Sequence, residues 1–164
     1  MAKKVFYSFH YKPDNWRVSQ VRNIGVIEGN RPAADNDWET VTKAGDGAIE
    51  RWIADQMNGR SCTVLLIGRE TADRKWINHE IIKSWNDKKG ILGIFIHNLK
   101  DSNGNQVVKG NNPFDYITFE NGVKLSSIVK AYNPPYYDSK QVYEYISSNL
   151  ENWIDEAIQI RNKN

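Results

Sequence analysis

The sequence predicts a three-layer α/β domain built on a central, mostly parallel sheet. Two observations carry that expectation. Residues 5–9, 62–67 and 91–96 are short runs that stay apolar nearly end to end, as strands do when both faces of their sheet are covered. Between them lie stretches with apolar residues at helical spacing. Strands alternating with helices read as right-handed crossovers between parallel neighbours.

The elements follow in order. Val5-Phe6-Tyr7-Ser8-Phe9 makes the first strand. Asp14 is placed to cap a helix in which Trp16, Val18, Val21 and Ile24 keep roughly helical spacing. Residues 25–29 read as a short second strand, and residues 30–44 as a long polar loop of the kind that often carries function. Ile49, Trp52, Ile53 and Met57 form the next stripe, closed by Gly59 in the position after a helix end. After the strand at 62–67, Asp73 can cap a helix whose Ile77, Ile81 and Trp85 face the core and which Gly90 ends. Residues 98–135 break the rhythm. The turn signals Asn103-Gly104 and Asn121-Gly122 lie there, and residues 116–120 and 123–126 read as hairpin arms, a hairpin insertion near 103–126. Residues 128–132 read as the last strand. Asp138 with Gln141 resembles a capping box before a long amphipathic helix.

At 164 residues the chain is expected to be a single domain, 1–164. Twenty-two basic against 20 acidic residues leave +2, which argues against a life of attraction to nucleic acid or anionic membrane. One cysteine, Cys62, excludes an internal disulfide or a cysteine-based zinc site, and His10, His79 and His97 form no metal-ligand spacing. The first residues lack a signal peptide's apolar run, and no stretch approaches the roughly 20 apolar residues of a membrane span. A reduced, cytoplasmic, soluble protein is the expectation.

In open parallel sheets, ligands bind beyond the carboxyl ends of the strands. That points to Ser8, Phe9 and His10 after the first strand, to Asp37 and Trp38 in the long loop, and to residues 68–80 after the strand at 62–67. None of these places carries a dinucleotide fingerprint, a P-loop or a serine nucleophile elbow. Trp76 and Glu80 stand four apart, one above the other on a helix face flanking the core stripe. An indole beside a carboxylate can stack on a flat ring and hold sugar hydroxyls. The same spacing also fits a solvated Glu next to a packing Trp, and both readings stay open on the residues alone. Likewise Phe9 fits either a pocket wall or the core, and His10 either a phosphate contact or a solvent-facing loop.

Ser8-Phe9 after the first strand, Val64-Leu65-Leu66-Ile67, and Trp76-Ile77-Asn78-His79-Glu80-Ile81 together resemble a TIR domain. With Lys109-Gly110-Asn111-Asn112-Pro113-Phe114-Asp115-Tyr116 added, the chain is more closely similar to the TIR-like subunits of the bacterial Thoeris anti-phage system. The matching stretches spread over most of residues 4–120. The resemblance implies a flavodoxin-like fold and cleavage of NAD, as substrate and not as cofactor, at the nicotinamide–ribose bond. It implies a cyclic ADP-ribose isomer that diffuses to an effector protein. Glu80 matches the catalytic carboxylate and Trp76 the aromatic wall, with Ser8, Phe9, His10, Asp37 and Trp38 around the substrate. A phage-derived trigger and a homo-oligomer remain open. So do two other readings: a non-catalytic TIR-like interaction module, and a flavodoxin-like nucleotide-binding domain. The second of these lacks a receiver's strand-end Asp.

Overall fold

A computed structural model describes residues 3–25, 27–29 and 41–164. Five parallel strands form one sheet: β1 (Lys3–Ser8), β2 (Ile27–Gly29), β3 (Cys62–Ile67), β4 (Gly90–Phe95) and β5 (Lys130–Tyr132). Their order is β2-β1-β3-β4-β5, the flavodoxin-like arrangement, with its topological switch between β1 and β3. Among the elements whose bounds are described, four α-helices cover it: α1 (Tyr11–Arg22), α2 (Asp46–Met57), α3 (Lys75–Asn86) and α4 (Ser139–Lys163).

The two-residue period of the strands divides the core. Val5, Tyr7, Cys62, Val64, Leu66, Leu92 and Ile94 face Val18 and Val21 of α1 and the inner row of α4. Phe6 instead meets Ile49, Ile53 and Met57 of α2. Leu65, Ile67, Ile91 and Phe95 meet Ile77 and Ile81 of α3. The α/β fold expected from the sequence is therefore the fold observed. Among the described residues, no helix is long and apolar enough to cross a membrane.

Several local expectations change. Helix α1 starts at Tyr11 with His10 as its cap residue, so Asp14 falls in the first turn and its carboxylate is buried. Trp16 is 54% exposed, because the inward row of this helix runs through Asp14, Arg17, Val18 and Val21. Asp73 does not cap α3. It sits at φ +60 and accepts a hydrogen bond from the Asn78 amide, which leaves Arg74 as the cap residue. Helix α3 ends at Asn86, before Gly90. Lys88 takes the left-handed turn at φ +61, and Lys89 N–H donates to the Ser84 carbonyl. Gly90 instead opens β4. The hairpin contracts to one antiparallel bridge, Thr118 with Lys124, because Leu125–Ser127 closes into a 3-10 turn. The cap expected at Asp138 is present, its carboxylate accepting from Gln141 N–H at 3.1 Å.

Candidate functional site

Ser8 is the last residue of β1, level with Leu65 of β3, and shares the strand parity of Phe6, so it points toward α3. Glu80 lies on the inward row of that helix with Ile77, Ile81 and Ser84. The sequence places it beside the core stripe; the structure places it within the stripe, because α3 rolls far enough to bury the row 77, 80, 81, 84. The Ser8 hydroxyl donates to Glu80 Oε2. Glu80 is 9% exposed and takes part in none of the ion pairs among the described residues. Burial pushes its carboxyl up to about 8, a rise that the Ser8 hydrogen bond partly opposes. Two residues distant in sequence thus meet at the switch point, one a carboxyl group whose charge is costly and the other the hydroxyl that steadies it.

Beneath Glu80 lies a second polar pair that the sequence reading missed. Thr63 Oγ1 and Ser84 Oγ are 2.6 Å apart, and the Ser84 hydroxyl also reaches the Glu80 carbonyl at 2.7 Å. Both residues are fully buried. Their signal in the sequence is a hydroxyl residue breaking an apolar strand and another one helical turn past Glu80.

Trp76, one turn before Glu80, is partly buried against the Phe6, Ile49, Ile53 and Met57 cluster that α2 brings. Its ring meets His79 edge to face at 5.4 Å, and Lys75 Nζ lies 5.0 Å from its centre. Of the other site residues expected from sequence, Phe9 has the opposite parity to Ser8 and packs on the α1/α4 core, away from Glu80. His10 sits at the start of α1. Asp37 and Trp38 lie outside the described residues.

On the α1 side of the same sheet edge, buried Arg17 ties the helix to the loop after β4, donating to the carbonyls of Leu99 and Asn105 at 2.8 and 2.9 Å. Asp14 is buried beside it, its carboxyl raised to about 6 chiefly by burial, against the pull of Arg17. Gly68 is required here. A Cβ at that position would stand 2.1 Å from Asp14 Oδ2. Gly68→Ala is expected to cost roughly 1–3 kcal/mol by forcing α1 or Asp14 outward, read as a lowered midpoint in urea unfolding. An unchanged midpoint would show that Asp14 swings aside freely.

A hollow of about 530 Å³ opens past the end of β4, lined by Arg69, His97, Asn98, Gln106, Val107, Val108, Lys109 and Tyr137. Ser8, Trp76 and Glu80 are not among its walls. The Asn112–Tyr116 segment, which the sequence marked without explaining, begins three residues after Lys109 of this wall. Asn112 caps a 3-10 turn over Pro113–Tyr116 by accepting from Phe114 N–H, and Phe114 is completely buried between the sheet and α3.

Comparison with known proteins fits this geometry. The family described as Thoeris protein ThsB, TIR-like domain, matches residues 6–101, more than half of the chain. A protein of Bacillus cereus (strain MSX-D12) named "Putative cyclic ADP-D-ribose synthase ThsB1" is 42% identical over 125 residues. The matched stretch covers 73% of this chain and 65% of that relative, so the chain spans slightly less than two thirds of the relative's length.

Proposed function

The chain belongs to the TIR-like domain family of Thoeris protein ThsB, and from that membership we propose that it cleaves NAD at the nicotinamide–ribose bond and closes the remaining ADP-ribosyl group into a cyclic isomer. The observation that carries this reading is the buried Glu80 carboxyl, held by Ser8 at the switch point of the sheet. The name of the Bacillus relative supports the same product class.

The chemistry asks little of the protein beyond field and position. The bond from C1′ to nicotinamide breaks with its electron pair going to the ring, which leaves neutral, so no general acid is needed. The ribosyl group becomes oxocarbenium-like, and a carboxylate at its face stabilises the developing charge. Burial biases the Glu80 carboxyl toward its protonated form at neutral pH. The cationic nicotinamide ring favours the ionised form when it arrives, so substrate binding drives the proton off. A hydroxyl of the second ribose then bonds to C1′ and gives its proton to the ionised Glu80 carboxylate, provided water is kept out and the hydroxyl is kept close. Trp76 supplies the aromatic surface one turn away on α3. The product would diffuse to an effector protein, and a phage component would trigger the reaction.

The test is direct. Purified protein incubated with NAD is expected to release nicotinamide and to yield a product with the mass of NAD minus nicotinamide, resolved by liquid chromatography and mass spectrometry. Running the assay with lysate from infected cells covers the requirement for a trigger. No nicotinamide under either condition would rule the activity out.

A further inference from the structure

The hollow beyond β4 is built with more care than a surface irregularity needs. Gly110 rests so closely on the turn after β3 that a Cβ there would be 2.3 Å from the Gly68 carbonyl oxygen and 2.7 Å from that of Arg69. The buried Phe114 anchors the same loop from its other end. Immediately before the first of those fixed points, Lys109 is set over the Phe95 ring, Nζ 4.6 Å from its centre. The opposite wall is fixed by Gln106, whose amide donates to the carbonyls of Asn98 at 2.7 Å and Tyr137 at 2.6 Å. The Asn98 amide in turn donates to the Tyr136 carbonyl at 3.1 Å.

These walls present a consistent chemistry. Arg69 and Lys109 are exposed cations, and neither belongs to an ion pair among the described residues. Among the described residues, no acidic side chain lines the hollow. Tyr137 is 76% exposed, which leaves a flat ring at the rim. His97 is 7% exposed, and its Nδ1 has no hydrogen-bond partner. Burial and the neighbouring Lys109 hold the imidazole toward its neutral form, so it offers hydrogen bonding without a third charge. The volume lies in the range of small-molecule sites.

We infer that this hollow binds the phosphorylated part of a nucleotide, with Arg69 and Lys109 as its cations and Tyr137 as the surface on which a ring stacks. Charge-assisted contacts to phosphate oxygens and stacking on an aromatic face are the two interactions such a ligand needs. Two sources share this chemistry: the far half of a dinucleotide whose other half lies at Glu80, or a free nucleotide in a separate site. The strand register makes the first possible in length. Ser8 is level with Leu65, and Leu65 with Gly93, four residues before His97. Four residues of rise and two strand spacings separate the two places by about 16 Å, a span an extended dinucleotide covers. Binding at the hollow does not depend on the proposed cleavage at Glu80; only the assignment of the first source does.

The experiment is calorimetric titration of the whole protein with ADP-ribose. Binding is expected, with Arg69→Ala and Lys109→Ala each weakening it about 10- to 100-fold. Each should also flatten the dependence of log Kd on log salt, which a merely structural role would not do. Both residues are exposed, so unchanged thermal midpoints are expected to show the fold intact. NAD titrated into the Glu80→Gln protein, alone and with each cation variant added, separates the sources. Equal weakening for NAD and ADP-ribose identifies the far half of the substrate. Weakening for ADP-ribose alone identifies a separate site. Wild-type protein that ignores millimolar ADP-ribose, or a double variant that binds it as well as wild type does, overturns the inference. Either result leaves nicotinamide release, and with it the proposed activity, untouched.

Discussion

Replacing Glu80 by Gln is expected to lower the rate of nicotinamide release by at least 10²- to 10³-fold, on the scale of losing one preorganised electrostatic group, while making the protein more stable above neutral pH. Gln keeps the shape and still accepts from the Ser8 hydroxyl, so a loss of rate would report charge and not collapse. The stability change follows from linkage. In the folded protein the carboxyl sits at about 8, above its ordinary value of 4.5. A raised carboxyl binds its proton more tightly in the folded state than in the unfolded one. Its contribution is therefore fully present below about pH 4.5 and is lost as pH rises toward 8, where it levels off. The loss is on the order of a few kcal/mol. Wild type and Glu80→Gln should thus melt alike near pH 4 and diverge by pH 8, the variant melting higher. The kcat/KM of wild type should rise over the upper part of the same interval, because on the proposed mechanism substrate must displace the proton that the free carboxyl holds. A variant that still releases nicotinamide at the wild-type rate refutes the role given to this carboxyl. Melting curves that stay parallel at all pH values refute its buried, protonated state.

Phe114→Ala should destabilise the fold by roughly 3–5 kcal/mol, the usual cost of emptying a buried aromatic site. Phe114 is wholly buried among Leu65, Ile67, Ile77 and Ile81, and a Cβ on Gly93 would lie 3.0 Å from its ring. The ring therefore joins the sheet, α3 and the loop that carries Lys109. Phe114→Leu retains most of the volume and should cost under about 1.5 kcal/mol. Urea unfolding of the two variants measures both. A cost below about 1 kcal/mol for the alanine variant would mean that the segment is a surface decoration and not a plug. Because α3 also carries Glu80, the alanine variant should lose activity along with stability.

The layers of this fold were legible because they follow from spacing. Apolar runs such as Val64-Leu65-Leu66-Ile67 can be strands only if both faces are covered, and the four-residue steps Ile77, Ile81, Trp85 leave one helix face for the core. Glu80 was legible as a candidate through its distance from Trp76 and through family resemblance. Its burial was not, since a one-dimensional pattern does not fix how far a helix rolls, and a polar residue on the edge of a stripe reads as solvated. The partnership with Ser8 spans 72 positions and exists only because the strand order puts β1 beside β3. Asp14 was misread for a related reason: a carboxylate near a helix start looks like a cap until Gly68 opens room for it beneath the sheet edge. The Asn112–Tyr116 segment showed in the sequence as a distinctive string, but its task is to fill a gap between elements, and gaps have no sequence signature.

The hydroxyl pair of Thr63 and Ser84 governs the azimuth of α3. A cylinder seated on hydrocarbon alone can revolve a few degrees about its long axis at little cost, since methyl groups slide past one another without a preferred angle. One directional bolt at the far end of the same row ends that freedom. On the proposed mechanism a carboxylate acts through its field alone and draws its accuracy from such a fastening, so the bearing of Glu80 is set by two wholly buried alcohols.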